Sequence, residues 1–403
     1  MTGKTIWKPV VQKLVTGRAR RFRMTKQPPQ WPGQLMAPGL YLHVPFCKNL
    51  CPYCPYNRIE YDEDLFRAYE RAVKQEIDLY APYLEGQSFS SLYIGGGTPT
   101  VNWRGLISIL RHLQDRVQNI GDICVELHPG NMDCDCLSAL KDIGITMLSI
   151  GVESTSDAVL ERIQRSHDGR TALDAVTRAM ALGFKSVNVD LMFALPGQSQ
   201  QDWERDVTTV VSLGIDQLST YPMFSFPYSD LGRSKGIRQV TRPPHRLIKS
   251  MLNFTDEHCE QSGLHRCAVW SWLKPRKEKF SSITRHHYIG FGPSAASMTG
   301  MDFYVNTFDV NAYASKLPAE RPVAVSMPVR RRLEMAYWLY WRIYELKATH
   351  EDFCAVFGET ASLDAEFGHL LRPLIWAGLM ERANEGYRVT QSGAYWIHRL
   401  QNE

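Results

Sequence analysis

A regular alternation of apolar, strand-like runs and helix-like stretches between residues 39 and 223 constrains the fold most. The predicted strands are 39–44, 91–94, 123–127, 147–152, 186–192 and 217–221, and the helices between them are 63–84, 103–117, 135–143, 156–165, 171–183 and 202–213. Parallel neighbours in a sheet need a crossover, which is normally a right-handed helical connection. The order therefore predicts an α/β fold built on a parallel sheet.

A group of three cysteines follows the first predicted strand. Cys47, Cys51 and Cys54 are spaced C-x3-C-x2-C. Three thiolates can hold three corners of a [4Fe-4S] cluster and leave one iron open, whereas electron carriers cap every iron. The alternatives are a zinc knuckle or chance proximity, but no second ligand pair with zinc spacing stands nearby in the sequence. The spacing favours an iron–sulfur cluster with an open iron.

Other residues suited to ligand binding stand at the ends of later strands. A glycine run, Gly95-Gly96-Gly97-Thr98, follows the second strand, and glycines let a backbone approach a ligand closely. Three carboxylates, Glu126, Glu153 and Asp190, fall at the ends of the next strands. Barrels of parallel strands keep their sites at the carboxyl ends of the strands. We therefore expect these residues to meet the cysteine loop.

Composition sets limits on the class of protein. The 403 residues are long for one compact domain, and a net charge of +4 is too small to argue for nucleic-acid binding. Nine scattered cysteines fit a reducing compartment better than a disulfide framework. No apolar run approaches the ~20 residues of a spanning helix. We expect a soluble, cytoplasmic protein with no membrane span.

Residues 1–36 form a basic arm, which contains eight Lys or Arg residues and no Asp or Glu. Such an arm suits a membrane surface or an anionic partner, although a solvated extension is the commoner case. The arm lacks the apolar segment of a secretory signal. Its proline-rich run 28–33 argues against the long amphipathic helix of a mitochondrial presequence.

Three further units follow the arm. Residues 37–223 hold the alternating strands and helices, whereas residues 224–328 mix prolines with aromatics without a clear period and suggest a region that covers the site. Residues 329–403 predict two helices, a two-strand wing and a last helix, which is a winged-helix-like order. Such folds often bind DNA, but the apparent recognition segment is not strongly basic, so no nucleic-acid partner is expected.

In order, the motifs resemble the radical-SAM enzymes of the oxygen-independent coproporphyrinogen oxidase type, the HemN-like family. The matching segments are YLHVPFC at 41–47 with Cys51 and Cys54, GGGTPT at 95–100, Glu126 with Pro129, GVE at 151–153, RSH at 165–167, NVDLMFALPGQ at 188–198 and YIGFGPSAAS at 288–297. This resemblance implies a partial (β/α)6 parallel barrel of the radical-SAM type. It also implies an accessory α+β region and the winged-helix-like C-terminal domain.

The resemblance further implies cofactors and their binding residues. Cys47, Cys51 and Cys54 would hold a [4Fe-4S] cluster, and one or two molecules of S-adenosylmethionine (SAM) would bind beside it and yield a 5′-deoxyadenosyl radical. An electron donor such as flavodoxin or ferredoxin is implied as a partner, together with a small-molecule substrate. The cofactor-binding residues expected on this basis are Tyr41, His43, Gly95, Gly96, Gly97, Thr98, Glu126, Arg165 and Asp190.

The resemblance implies how each of these residues would contact SAM, and the charged residues also have an alternative explanation. The Gly95–Gly97 backbone would receive the amino end of SAM, Glu126 and Arg165 would meet its charged ends, and Asp190 would bond the ribose. Alternatively, Glu126 and Arg165 pair with each other, and Asp190 caps the next element.

Two departures from the family pattern bear on the reaction. In the decarboxylating subfamily a further cysteine follows the third ligand as C-x-C, but here Pro55 and Tyr56 follow Cys54. Tyr56 cannot replace a thiol, so coproporphyrinogen decarboxylation itself is disfavoured. Glu153 stands where several relatives carry Gln. Tyr56, which either stacks on the adenine or packs internally, and Glu153 are the catalytic candidates.

Other features leave the substrate open. Aromatic residues and nearby cations suit a flat substrate with carboxylates, or an ordinary core and a solvated face. The aromatic residues are Tyr221, Phe224, Phe226, Tyr228, Trp270 and Trp272, and the cations are Arg266, Lys274, Arg276, Lys277 and Lys279. A separate pair, Cys134 and Cys136, predicts a helix start rather than a second metal or a methyl-accepting site.

Three functions agree with these features. The first is modification of a tetrapyrrole, and the second is transfer of a methyl or methylene carbon from a second SAM to another unsaturated substrate, as a methyltransferase or a cyclopropanase does. The third is heme trafficking with little turnover, for which His265, His286 and His287 are candidate ligands, although such histidines are usually solvated.

Overall fold

The computed structural model describes residues 24–402 apart from 32, 36, 118, 224–242 and 282–285. Its first half alternates strands and helices as the sequence predicts. The elements are β1 (Gly39–Val44), β2 (Phe46–Cys47), β3 (Ile59–Glu60), α1 (Glu63–Leu84), β4 (Ser88–Gly96), α2 (Trp103–Gln114), β5 (Asn119–Leu127), α3 (Cys134–Asp142), β6 (Met147–Glu153), α4 (Asp157–Arg162), α5 (Gly169–Ala181), β7 (Ser186–Phe193), α6 (Gln200–Ser212) and β8 (Gln217–Pro222).

The second half adds short strands and a compact C-terminal unit. Its elements are α7 (His245–Gln261), β9 (His265–Ala268), β10 (Ser271–Leu273), β11 (Tyr288–Phe291), β12 (Ala296–Met298), β13 (Asp302–Asn306), α8 (Val310–Lys316), β14 (Val323–Pro328), α9 (Arg331–Tyr344), β15 (Lys347–Thr349), α10 (His350–Phe357), α11 (Leu363–Trp376), β16 (Met380–Ala383), β17 (Gly386–Val389) and α12 (Gln391–Asn402).

One twelve-stranded sheet organises the described residues, in the order β14-β13-β12-β11-β1-β4-β5-β6-β7-β8-β10-β9. The six strands β1 and β4–β8 are all parallel, as the alternation predicts. They are nearly continuous runs of buried apolar residues, because helices cover a parallel sheet. The α/β class with a (β/α)6 arrangement is therefore confirmed.

The region 224–328 contains both strands and helices, as expected of an accessory α+β region. Its described strands extend the central sheet at both edges: β11 pairs in parallel with β1, and β10 pairs antiparallel with β8. The 17-residue helix α7 packs against α6. These strands have only three to six residues each, which is too short for a period to be recognised in the sequence.

The C-terminal unit has its own hydrophobic core. Strands β15, β17 and β16 form an antiparallel sheet, and β16–β17 is the predicted wing. The core gathers Trp338, Phe353, Phe367 and Leu371 from the three helices α9–α11. The predicted wing and the helices α9, α11 and α12 are present, whereas the short elements β15 and α10 between α9 and α11 were not predicted.

The described part of the basic arm lies against the protein. Thr25 forms an antiparallel bridge with Ser326, and the Trp31 ring stacks on Tyr83 at a centroid distance of 4.0 Å. The guanidinium of Arg321 lies 4.1 Å from the centroid of the same Trp31 ring. Residues 1–23, with the arginine cluster, lie outside the described residues. None of the described helices combines the length and apolar character that crossing a membrane requires.

A buried carboxylate joins the sheet to α1. The carboxylate of Glu76 accepts hydrogen bonds from Gly292 N at 2.8 Å, Asn306 Nδ2 at 2.7 Å and Tyr313 Oη at 2.5 Å. Burial raises the pKa of Glu76 to about 7. Because the folded carboxyl holds its proton to a higher pH than the unfolded one, the stability from this group falls as pH rises through the window from about 4.5 to about 7.

Glu76→Gln should destabilise the protein at neutral pH. The amide oxygen can keep the hydrogen bonds from the Gly292 N–H and the Tyr313 hydroxyl, but its NH2 group then faces Asn306 Nδ2, which is also a donor. We therefore expect a loss of about 1 to 3 kcal/mol. Thermal and urea unfolding measure the effect. Glu85→Gln, at an exposed position at the end of the same helix, is the control. Equal midpoints for the two variants would contradict the proposed role of the Glu76 network.

Candidate functional site

The cysteine loop is closed by a short pair of parallel strands. Strand β2 ends at Cys47 and pairs with β3, so Phe46 lies beside Ile59 and Cys47 beside Glu60. Two backbone hydrogen bonds extend this closure, from Ile59 N to Pro45 O at 2.7 Å and from Tyr61 N to Cys47 O at 2.8 Å. The loop is thus anchored at both ends directly after β1.

The three cysteines face one pocket at the carboxyl ends of the strands. Cys47 is buried and accepts a contact from Thr98 Oγ1 at 3.6 Å, whereas Cys51 and Cys54 are partly exposed. Burial raises the pKa of the Cys47 thiol and raises that of Cys54 to about 12. Thiolates at these positions therefore need a strong cation beside them, which iron provides.

The glycine run passes tightly against the loop. A Cβ on Gly97 would lie 2.7 Å from the Phe46 carbonyl oxygen and 2.9 Å from Cys47 Sγ. Gly96 has a positive φ of 121°, and a Cβ there would meet the His43 ring at 2.8 Å. Only glycine satisfies both positions without displacing the loop.

Tyr41 and His43 lie behind the glycine run. His43 Nε2 is 2.8 Å from the Asn57 carbonyl oxygen, which can only accept, so Nε2 carries the proton. Burial lowers the pKa of His43 to about 4, and its ring is therefore neutral. The unprotonated Nδ1 then accepts the hydrogen bond from Tyr41 Oη at 2.7 Å. This chain of bonds links the strand to the cysteine loop.

Glu126 lies beside the glycine run, near the end of β5. Its carboxylate accepts a hydrogen bond from Tyr93 Oη at 2.5 Å and another from Gly96 N at 3.2 Å. Burial raises its pKa. The carboxylate thus lines the pocket with its oxygens already oriented by two donors.

Arg165 pairs with Glu153 rather than with Glu126. Its Nη2 donates to the Gly151 carbonyl at 2.6 Å and lies 3.3 Å from Glu153 Oε1. Its Nη1 lies 3.5 Å from Cys51 Sγ. Glu153 has a positive φ of 67°, which turns its side chain toward Arg165 at the end of β6. Arg165 thus brings a fixed positive charge to the cysteine loop.

Asp190 lies within β7, three residues before its end, and does not cap the next element. Its oxygens accept hydrogen bonds from Ser149 Oγ at 2.7 Å and from Asn188 Nδ2 at 2.9 Å. Burial raises its pKa to about 7, and the neighbouring carboxylates Glu153 and Glu126 add to this rise. Asp190 therefore changes its charge near neutral pH.

The pocket brings together most of the predicted site residues. Those that line it are Cys47, Cys51, Cys54, Gly97, Thr98, Glu126, Glu153, Arg165 and Asp190. Tyr41, His43 and Gly96 are not among the lining residues and contact them from behind, as described above. Gly95 also lies behind the lining, since a Cβ there would be 2.9 Å from Glu126 Oε2. Tyr56 is 56 % exposed and is not among the lining residues.

Sequence reasoning missed several lining residues. These are Asn49, Tyr53, Arg58, Leu127, His128, Ser149 and Gly151. His128 could have been found from the sequence, because it comes directly after β5, the strand that contains Glu126. The Nε2 atom of His128 lies 3.4 Å from Nδ1 of His167. Burial lowers the pKa of His167 to about 4. Two neutral imidazoles therefore stand beside Arg165.

Several other residues that the sequence suggested for substrate binding instead contact other parts of the protein. Arg266 pairs with Asp256 at 2.9 Å, Lys277 with Asp216 at 3.0 Å, and Lys279 with Glu345. Trp272 is fully buried in the core. Phe224, Phe226 and Tyr228 lie outside the described residues. Cys134 is exposed whereas Cys136 is buried, because positions i and i+2 of a helix face different sides.

The residues of this pocket fit a [4Fe-4S] cluster with SAM. Three thiols meet there, and Gly97 leaves no Cβ between the backbone and Cys47. The buried Nε of Arg165 has no hydrogen-bond partner among the described residues. Such an orphaned donor is costly unless a ligand satisfies it. An anionic group, such as the carboxylate of SAM, has the required chemistry.

Comparison with known proteins also points to a radical-SAM protein. The family model described as "Radical SAM superfamily" matches residues 41–210. The heme chaperone HemW of Bacillus subtilis is 26% identical over 88% of this chain and 95% of its own length. The oxygen-independent coproporphyrinogen III oxidase of Pseudomonas aeruginosa is 28% identical over 90% of this chain and 84% of its own.

A solved structure shares the fold. Coproporphyrinogen III oxidase (HemN) from Escherichia coli superposes with a TM-score of 0.77 over 90% of this chain and 89% of that chain, at 24% identity. The sheet, the cysteine loop and the glycine run thus define a radical-SAM protein. Over most of its length the chain is similar to HemN-like proteins, as the sequence motifs predicted.

Gly97→Ala should impair loading of the cluster. The new methyl group must displace the Phe46 carbonyl or the Cys47 sulfur, so iron and sulfide bound per chain after anaerobic reconstitution should fall severalfold. Gly368→Ala is the control, because an added Cβ there has no atom within 4 Å. Wild-type iron content in Gly97→Ala would contradict the tight passage of the glycine run.

SAM binding should depend on pH through Asp190. If the ionised carboxylate accepts a ribose hydroxyl, affinity should rise as pH increases through about 7, the pKa of Asp190. Between pH 6 and 8 the ionised fraction grows about tenfold, which sets the upper limit of the effect. Equilibrium dialysis with the reconstituted protein measures it. The dependence should flatten in Asp190→Asn, and an unchanged pH profile in that variant would exclude the role.

Proposed function

We propose that this chain is a radical-SAM enzyme that modifies an unsaturated, tetrapyrrole-like substrate at the carboxyl ends of its parallel strands. The observation that carries the proposal is the convergence of Cys47, Cys51, Cys54, Gly97 and Arg165 on one pocket. When bound there, a [4Fe-4S] cluster and SAM supply an electron and a 5′-deoxyadenosyl radical that abstracts hydrogen from the substrate.

Arg165 provides a fixed positive charge in the pocket. Its planar guanidinium suits a carboxylate, and the Gly151 carbonyl and Glu153 hold it in place. In this proposal Glu153 is a positioning residue that acts through Arg165. The free Nε is the donor that would face the carboxylate of SAM.

The carboxylates supply the opposite charge. One carboxylate oxygen of Glu126 accepts a hydrogen bond from the Gly96 N–H. The carboxylate is therefore oriented to accept hydrogen bonds from an ammonium group bound beside the glycine run. Asp190 lies deeper in β7, where it would accept from a ribose hydroxyl. The His43–Tyr41 pair supports the glycine run from behind and does not enter the pocket lining.

Support for a tetrapyrrole-like substrate comes from the relatives. One relative is a heme chaperone and another is a coproporphyrinogen III oxidase, and heme and coproporphyrinogen III are both tetrapyrroles. The exposed Tyr56 ring stands after the cysteine loop, where a flat conjugated molecule could stack on it. Arg266, Lys277 and Lys279 pair within the protein, so the substrate's carboxylates must meet other groups.

The deciding experiment is an anaerobic incubation of reconstituted protein with SAM, a strong reductant and candidate tetrapyrroles. Mass spectrometry of the nucleosides separates the possible functions. Substrate-dependent 5′-deoxyadenosine alone supports hydrogen abstraction, whereas added S-adenosylhomocysteine indicates that a second SAM donates carbon. Stoichiometric heme binding without SAM cleavage would overturn the enzymatic proposal in favour of trafficking.

Cys51→Ala should abolish SAM cleavage, because a cubane held by two thiolates loses its third protein ligand. The same assay should show no 5′-deoxyadenosine above background. Cys134→Ala is the matched control, since Cys134 is exposed on α3. Turnover that persists in Cys51→Ala would show that the cluster is held elsewhere.

A further inference from the structure

A second group of potential metal ligands lies away from the cysteine loop. His286 and His287 immediately precede β11, and Glu334 is in the first turn of α9 in the C-terminal unit. Their ligand atoms all lie within 4.8 Å of one another. Two imidazoles and a carboxylate from different parts of the fold therefore converge on one point.

The register of the sheet separates this group from the candidate active site. In the parallel pairing of β11 with β1, Tyr288 lies beside Gly39, at the amino end of both strands. The cysteine loop follows the carboxyl end of β1. At about 3.3 Å per residue, the six residues of β1 place the two sites more than about 15 Å apart along the strand.

The contacts between the three side chains are short and specific. Glu334 Oε1 lies 3.0 Å from His286 Nε2 and 2.9 Å from His287 Nε2. The three side chains are only 14 %, 14 % and 15 % exposed. An edge-on contact with Phe357, at a centroid distance of 5.5 Å, fixes the ring of His286. The Nε2 atoms of the two histidines and Oε1 of Glu334 are thus held together at a mostly buried position.

These separations match the spacing of neighbouring ligands around a metal. Two atoms that each lie about 2.1 Å from an ion, at right angles to each other, are about 3.0 Å apart. Two imidazoles with one carboxylate suit divalent first-row transition metals rather than calcium or magnesium, which prefer oxygen ligands.

The group offers one carboxylate to two imidazole nitrogens. A metal cation at the point where these three side chains converge would balance the charge of the Glu334 carboxylate.

A glycine stands beside the point of convergence. Gly300 has a φ of 76°, and a Cβ there would lie 2.9 Å from His287 Nε2 and 3.2 Å from Glu334 Oε1. The glycine therefore keeps the point of convergence free of a side chain. His286 also lines a cleft with Trp338 and Asp352.

We propose that His286, His287 and Glu334 bind one divalent first-row transition metal ion, which joins the strand beside β1 to the C-terminal unit. In barrels of parallel strands, the amino-end face serves stability rather than catalysis. The ion therefore holds α9 against the amino end of β11. The site is independent of the proposed reaction and requires no SAM.

Zinc binding to the full-length protein tests the site. After anaerobic cluster reconstitution and dialysis against metal-free buffer, the protein is titrated with Zn²⁺ in competition with a chromophoric chelator. One equivalent should bind in addition to the cluster iron, and His286→Gln or His287→Gln should weaken its affinity more than about tenfold. His265→Gln is the matched control, because His265 also contacts a glutamate, Glu260, at 2.7 Å but is exposed.

A second readout distinguishes a metal site from an ordinary structural contact. Zn²⁺ should raise the unfolding temperature of the wild type and of His265→Gln, but not that of His286→Gln. Zinc affinity that is unaffected by both His286→Gln and His287→Gln would overturn the proposal. So would hemin binding that depends on His286 in a protein that takes up no zinc, since the histidines would then be heme ligands.

Discussion

The parallel pairing of β1 with β4 is the constraint on which the rest of the site depends. It places His43 beside Gly95 and Val44 beside Gly96, so the strand that leads into the cysteine loop runs against the strand that ends in the glycine run. A shift of one residue would turn the pocket residues toward the helices, because successive side chains of a strand face opposite sides. The register thus determines which sulfur, backbone and carboxylate groups meet.

The electrostatics of the pocket follow from burial among opposing charges. Glu126, Glu153 and Asp190 are brought together by parallel strands, and burial raises the pKa of each of them. Arg165 offsets part of this repulsion through its contact with Glu153. Such shifted groups are typical of ligand sites, where binding energy compensates for the unfavourable arrangement of the empty pocket. A cationic ligand with one carboxylate would complement both kinds of charge.

The sequence predicts the parallel framework because its strands and helices are long enough to show their periods. It also predicts the residues that line the pocket, since parallel strands end at the same edge. It does not reveal that Arg165 pairs with Glu153, because this depends on the left-handed backbone at Glu153. Nor does it reveal the partners of Arg266 or Glu334, which come from other elements of the fold. Contacts between short segments that are far apart in the sequence leave no periodic pattern by which they could be predicted.

The second neighbour of β1 has a consequence for how the chain is made. Strand β11 follows β1 by about 250 residues, so a ribosome that adds 5 to 20 residues per second leaves this edge of β1 open for roughly 12 to 50 seconds. An unpaired strand edge invites association with other chains. The nascent chain therefore carries its cysteine loop beside an open edge until most of the protein has been synthesised, and early folding must proceed from the β4 side.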